Sequence, residues 1–253
     1  MVRSPTIVFV GGGEVGCAFL DVPVRARAED DCNLVAVIAS HKSADGSSDL
    51  IAHAATWGVQ VLSSFDQLNE LEQSLDLVIS AGNHRMFSRA QIARPRLGIV
   101  NFHAAPLPAY RGSACPAFAI LNAEKNFGVT FHDVVEELDA GPILHAETFP
   151  ISDSMTAGDL DRQCIEVGAR SFGRLLKSLL KNRVERQRAA PNPPAPYRRK
   201  DLERHRCVDL TWPRERIWRH VRAFDWPNVL QPAFARLDDR TIVLTTRPRG
   251  KWL

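Results

Sequence analysis

Two side chains two positions apart, Asn101 and His103, open the most chemically loaded stretch of the chain, residues 101–112 (NFHAAPLPAYRG). In an extended segment, positions i and i+2 share a face, so a carboxamide and an imidazole there can address one atom together. Both can donate hydrogen bonds when the ring is protonated. Donors held beyond a strand end suit an oxygen that gains negative charge during a reaction. Pro106 and Pro108 stiffen the loop that follows, and Gly112 ends it. Residues 128–144 (GVTFHDVVEELDAGPIL) then place Asp139 in the tight turn Asp139-Ala140-Gly141-Pro142. From there a carboxylate can reach back to the imidazole and move a proton. Singly, an Asn or His at a strand end is a structural hydrogen-bonder as readily as a catalyst, so it is the combination that points to chemistry. His103, His132 and Asp139 could also form a metal site, but their spacing matches no standard ligand motif.

The elements that must position these groups follow from the apolar pattern. Residues 6–10 (TIVFV), 34–40 (LVAVIAS), 75–81 (LDLVISA) and 98–102 (GIVNF) are short, nearly continuous apolar runs, as strands covered on both faces require. Helical stretches at 14–27, 49–57 and 66–73 separate the first three of them. The alternation predicts right-handed crossovers and an α/β fold, a Rossmann-like, mostly parallel sheet flanked by helices. Asn101 and His103 then sit at the C-terminal end of a parallel strand, where open α/β sheets place their sites. A short helix at 116–123, strands at 129–135 and 143–149, and a long amphipathic helix at 156–181 capped by Thr156 complete an expected catalytic domain over 1–190. Residues 191–196 (PNPPAP), with four prolines in six, read as a linker to a small C-terminal extension over 191–253. A helix at 215–224 and a strand at 241–246 are expected in that extension.

Gly11, Gly13 and Gly16 fit GxGxxG between a strand and a helix, the setting of a dinucleotide-binding turn. The second strand ends Ser40-His41-Lys42, without the carboxylate that holds a ribose. The pattern therefore reads as a tight strand-to-helix turn. An NADP-dependent oxidoreductase, with Lys42 on the 2′-phosphate, stands as a rival of another class.

The two segments around Asn101 and Asp139 together resemble the folate-dependent formyltransferases, whose motif is Asn-x-His, a Pro-rich loop ending Tyr/Phe-Arg/Lys-Gly, then a distant Leu/Val-Asp-x-Gly. The resemblance runs from about Ile7 to Lys181 and is weaker over 217–227. It departs at Ala104-Ala105, where many members have Pro-Ser. It implies a formyltransferase fold and transfer of formyl from 10-formyltetrahydrofolate to an amine, through a tetrahedral intermediate and without a metal. It further implies that Asn101, His103 and Asp139 are catalytic. Arg85, Met86 and Phe87, in the loop over 80–87, would line the folate pocket, and backbone groups of Val135, Glu136, Glu137 and Leu138 would bond the pterin edge. Phe102, Tyr110 and Arg111 are the expected contacts to the amine substrate, since a guanidinium fork suits phosphate or carboxylate.

Within that family the wording of both segments is most similar to the enzymes that formylate dTDP- or GDP-linked 4-amino- or 3-amino-hexoses for cell-surface polysaccharides such as O-antigen. The stretch after Pro196 is short for the C-terminal barrel of methionyl-tRNA formyltransferases, so tRNA is not the expected partner. The start GGGEVG lacks the phosphate loop of glycinamide ribonucleotide transformylases. Other small amines, and a non-catalytic binder that keeps the fold, are further alternatives. Relatives imply a homodimer, for which Trp212, Trp218 and Trp226 around helix 217–224 offer a contact surface; they serve equally well as the small domain's core.

Composition bounds the rest. Apolar residues at 45% and charged residues at 24% of the 253-residue chain exclude a disordered or fibrous protein. No apolar run approaches the roughly 18 residues of a membrane span. The five cysteines are widely spaced, without a CxxC pair, which favours a reducing compartment, so a cytoplasmic location is expected. The net charge of +3 hides an asymmetry: residues 181–253 carry +10 and residues 1–180 carry −7. A basic segment beside an acidic body can neutralise a pyrophosphate, or it is simply a solvated arginine-rich surface.

Overall fold

The computed structural model describes residues 3–40, 47–71 and 74–246. The elements run β1 (Thr6–Gly11), α1 (Gly13–Ala28), β2 (Asn33–Ala39), α2 (Ser47–Thr56), β3 (Gln60–Leu62), α3 (Gln67–Glu70), β4 (Leu77–Ala81), α4 (Arg89–Ala93), β5 (Ile99–His103) and α5 (Cys115–Leu121). They continue with β6 (Asn126–Asp133), β7 (Ile143–Pro150), α6 (Ala157–Leu180), a 3-10 turn at Arg199–His205, α7 (Arg214–Ala223), β8 (Phe234–Leu237) and β9 (Arg240–Val243). Seven strands form one sheet in the order β3-β2-β1-β4-β5-β6-β7. Strands β1 to β5 pair in parallel, and β6 runs antiparallel to β5. This is the α/β class expected from the sequence: a mostly parallel, Rossmann-like sheet with flanking helices. Among the described residues no helix is long and apolar enough to cross a membrane.

The chain forms two compact units: Met1–His103, Thr130–Ala146 and Ile165–Asn192 make the first, and Ala104–Val129, Glu147–Cys164 and Pro193–Leu253 the second. In the first unit every residue of β1 and β4 is buried, which is why these strands read as unbroken apolar runs. One sheet face carries Val8, Val10, Val78 and Ile99 against Phe65, Leu68 and Phe87. The other carries Phe102 and Phe131 against Phe19 of α1 and Phe172 of α6, with Phe19–Phe102 centroids 4.3 Å apart. Gly168 lets α6 close onto this cluster, because a Cβ there would collide with the Phe102 ring.

The glycine-rich start is explained by the same close packing. At Gly11 a Cβ would strike the Ala81 carbonyl, and at Gly82 (φ +69°) it would strike the carbonyl of Gly12. The β1–α1 turn and the end of β4 thus meet backbone to backbone at the point where strand order reverses. Lys42, the residue considered for a 2′-phosphate, lies outside the described residues.

Asp76 fastens the start of this sheet. Its carboxylate accepts from the Thr6 N–H (2.8 Å), Arg96 Nε (2.8 Å) and Arg3 Nη2 (2.9 Å). Burial opposes its charge, but the Thr6, Arg96 and Arg3 donors outweigh burial and hold the carboxyl below its usual range. A depressed folded-state value contributes stability that is present above the unfolded value of about 4 and is lost as pH falls through the folded one. Asp76→Asn is therefore expected to cost about 2 kcal/mol near pH 7, the two arginines being largely solvent-screened. Thermal melts should show the gap to wild type closing below about pH 4.

The second unit is built around aromatic and capping contacts. Tyr110 stacks on Tyr197 (5.1 Å, 12°), and Phe118 leans on the same ring at 4.5 Å. Thr156 caps α6 as expected: its hydroxyl accepts from the Asp159 N–H (3.1 Å), and its own N–H donates to Asp159 Oδ2 (3.2 Å). Trp212 sits under Arg216 (3.8 Å) and against His220 (4.8 Å), while Trp218 is exposed.

Several expectations need adjustment. The helix read over 66–73 is the four-residue α3, since Leu71 leaves helical geometry (ψ 118°); Gln73 lies outside the described residues. The strand read over 241–246 is β9, Arg240–Val243, paired with β8 across a turn in which Asp238 takes φ +50°. Strand β3 is too short to show a period. Helix α4 was missed although its capping box, Ser88 with Gln91, is written in the sequence.

Candidate active site

Three neighbouring strands of the first unit set polar groups side by side. Ser80 of β4 is in register with Asn101 of β5, and Asn101 is in register with His132 of β6. Their side chains form a hydrogen-bonded row. Ser80 Oγ donates to Asn101 Oδ1 at 2.8 Å, and Asn101 Nδ2 lies 3.1 Å from His132 Nε2. His132 Nδ1 lies 2.9 Å from the Asp133 carbonyl. A carbonyl can only accept, so Nδ1 carries a hydrogen, and Nε2 presents a lone pair to the Asn101 N–H. One N–H of the carboxamide is thereby engaged. The other has no partner within this row.

Asp139 arrives from the loop after β6. It adopts φ +48°, and the chain then returns so closely that a Cβ on Gly141 would collide with the Asp133 carbonyl. The Asp133 N–H donates to the Pro142 carbonyl at 2.9 Å, closing the turn. This brings Asp139 Oδ2 to 3.8 Å from His103 Nδ1 and Oδ1 to 3.5 Å from His132 Nε2. Both distances exceed a direct hydrogen bond, and the first lies within ion-pair range of a protonated His103. The three side chains are largely buried, with exposures of 8% for Asp139, 11% for His103 and 3% for His132. An imidazolium at His103 would gain a shielded counter-charge there. The Asp133 side chain, on the opposite sheet face, pairs with Arg186 at 2.7 Å; burial pushes its carboxyl up despite that partner. Among the described residues, no group of three or more His, Cys, Asp or Glu side chains is arranged to hold a metal ion.

The segments expected to hold a formyl donor also belong to this unit. Met86 is exposed, and Arg85 lies over the Phe65 ring at 5.3 Å. Phe87 points into the core cluster, with its ring 5.4 Å from that of Phe65. Residues 135–138 carry no regular secondary structure, and Leu138 is exposed. Glu136 pairs with Arg89 at 3.0 Å, tying this segment to α4 just after Met86 and Phe87.

The three residues expected to touch the amine substrate are placed differently. Phe102 lies between Asn101 and His103, so alternation turns it to the other face, into the Phe19–Phe131 cluster. Tyr110 and Arg111 belong to the second unit. The Tyr110 hydroxyl donates to Glu124 (2.8 Å) and accepts from Asn122 (3.0 Å); burial, first of all, raises its pKa. Arg111 is buried and donates to the Pro194 carbonyl at 3.1 Å. Gly112 (φ +96°) lets Tyr197 close in, with the Tyr197 N–H donating to the Arg111 carbonyl at 2.8 Å. The Tyr-Arg-Gly sequence thus anchors the chain that follows the prolines.

Sequence reasoning missed Ser80, and saw His132 only as a possible metal ligand. The signal was the alternation in residues 128–133, which puts Thr130 and His132 on one face. Which strand they would adjoin was not written there.

The sequence profile described as formyl transferase matches residues 7–176. The methionyl-tRNA formyltransferase of Geobacillus thermodenitrificans (strain NG80-2) is 30% identical over 240 residues, covering 87% of this chain and 72% of the relative. That of Thermobifida fusca (strain YX) is 31% identical over 231 residues, covering 86% and 72%. Among solved structures, a sugar N-formyltransferase from Shewanella sp. FDAARGOS_354 superposes with a TM-score of 0.78 at 18% identity, covering 98% of this chain and 99% of its own. The N-formyltransferase from Helicobacter canadensis, solved with folinic acid and dTDP-3-aminofucose, gives 0.71 at 21% identity, covering 88% and 81%. A glycinamide ribonucleotide transformylase from Symbiobacterium toebii gives 0.65 at 21% identity over 74% of this chain and 96% of its own. At such identities the structural likeness is one of fold.

Proposed function

The chain belongs to the formyl transferase family, and we propose that it moves the formyl group of 10-formyltetrahydrofolate to the amine of a nucleotide-linked amino-dideoxy sugar. The observation that carries the chemistry is the convergence of Asn101, His103 and Asp139 at the end of β5, with Asp139 within 3.8 Å of His103. The folate, as substrate, supplies an activated formyl carbonyl. The residues present fit it: exposed Met86 and Leu138 offer apolar surface to a flat heterocycle, in two segments tied by the Arg89–Glu136 pair.

Attack by a neutral amine puts negative charge on the formyl oxygen and positive charge on the nitrogen. Asn101 meets the first with its remaining N–H, and a protonated His103 adds a second donor. Asp139 takes the proton that the nitrogen must lose, directly or through a water, and His103 returns one to the departing nitrogen. The acceptor class draws its support from the sugar N-formyltransferases, one of which shares the fold over 98% of this chain, and from the wording of the two motif segments.

A second reading, formylation of methionyl-tRNA, is favoured by the identity to methionyl-tRNA formyltransferases and by the +10 charge over residues 181–253. One experiment separates the two. The protein is mixed with 10-formyltetrahydrofolate and a panel of dTDP- and GDP-linked 3-amino- and 4-amino-hexoses, alongside charged initiator tRNA, and products are read by mass spectrometry. Gain of one carbonyl on a sugar, absent in Asn101→Ala, is the expected result. Formylated methionyl-tRNA with unchanged sugars, and tRNA binding that weakens steeply with salt, would replace this reading with the second.

A further inference from the structure

We propose that Ser80 is a positioning residue for formyl transfer: its hydroxyl holds the plane of the Asn101 carboxamide, whose end-for-end orientation His132 sets, so that one N–H faces the reacting carbonyl. The inference deepens the proposed function and rests on Asn101 acting as a donor there. Ser80 is 1% exposed, on the sheet face that also carries Val8, Val10, Val78 and Ile99. Its register partner on β1 is Val10 and on β5 is Asn101. A hydroxyl in such an apolar row costs free energy unless it is bonded, and a valine or alanine would sit there more comfortably. Its side-chain bond, 2.8 Å to Asn101 Oδ1, is what the site gains from it.

The gain is directional. His132 Nε2, as an acceptor, keeps the Asn101 nitrogen on its side, but a carboxamide held by that one bond can still swing about its torsions and re-aim its second N–H. Held from both sides, it cannot. Ser80 donates to the oxygen from β4, and His132 Nε2 accepts from the nitrogen on the β6 side at 3.1 Å. The His132 tautomer is itself fixed by the Asp133 carbonyl. The row therefore leaves one N–H of Asn101 outside it, and the aim of that N–H depends on Ser80.

The test uses Ser80→Ala, Ser80→Thr and the wild-type protein. In Ser80→Ala, kcat should fall about tenfold with the KM for 10-formyltetrahydrofolate unchanged, as for a misaimed transition-state donor. The melting temperature should fall only slightly, because relief of the buried hydroxyl partly offsets the Asn101 Oδ1 left without its partner at a half-buried position. Ser80→Thr, which keeps the donor, should stay within about threefold of wild type. A second readout needs no acceptor: the 15N–1H signals of the Asn101 carboxamide, assigned by their loss in Asn101→Ala. In wild type they should be sharp and should shift with added 5-formyltetrahydrofolate; in Ser80→Ala they should broaden and lose that response. Turnover within twofold of wild type in Ser80→Ala, or carboxamide signals identical to wild type, overturns the proposal. So does a fall in melting temperature that tracks the loss of turnover. If no panel sugar is formylated while the carboxamide signals behave as described, the acceptor class fails and Ser80's role stands. Wild-type signals that ignore 5-formyltetrahydrofolate remove the donor role of Asn101, and both readings with it.

Discussion

Asn101→Ala is expected to lower kcat by about 10²–10³-fold, the loss seen when one donor to a developing oxyanion is removed. The fall should appear equally in kcat and kcat/KM, because the N–H meets full negative charge only in the transition state. Structure gives the substitution a second, smaller consequence. Ser80 Oγ and His132 Nε2 both bond the Asn101 side chain, so truncation leaves a buried hydroxyl and a buried ring nitrogen without that partner. Each costs about 1 kcal/mol or more, so the variant should melt earlier than wild type. Single-turnover assays below the variant's melting range separate the two effects. Turnover within tenfold of wild type there would mean that Asn101 serves the fold alone.

Much of this arrangement was legible in the chain, and what was hidden has a common cause. Strands β1, β2, β4 and β5 were visible because burial on both faces writes itself as continuous apolarity. Asn101 and His103 were visible because a strand's period of two is a local property. The same period places Phe102 against Phe19 and Phe131, away from both. Strand β3 and helix α3, of three and four residues, are shorter than any periodic signal. The Ser80–Asn101–His132 row was invisible for a different reason. It depends on the register of three strands separated in sequence by 21 and 31 residues, and register is set by tertiary packing. Tyr110 and Arg111 show the complement: a local motif drew them towards substrate, while their side chains bond Glu124, Asn122 and Pro194, 12 or more residues away.

Asp139→Asn should lower kcat by about 10²–10⁴-fold, the range for losing a positioned proton acceptor. Asparagine is the right replacement because position 139 holds φ +48°, a left-handed conformation that Asn tolerates as well as Asp. The turn set by Gly141 and the Asp133–Pro142 bond should therefore survive, leaving the melting temperature close to wild type. The pH profile then decides what the carboxylate does. If Asp139 takes the amine's proton, the acid limb of the wild-type kcat profile should flatten in the variant, since an amide has no proton to lose or gain in that range. If Asp139 is only a counter-charge to His103, the acid limb persists and the alkaline limb moves to lower pH, because the imidazolium has lost its partner at 3.8 Å. Retention of both limbs unchanged, with near-wild-type kcat, would remove Asp139 from the chemistry and leave proton transfer to His103 and solvent.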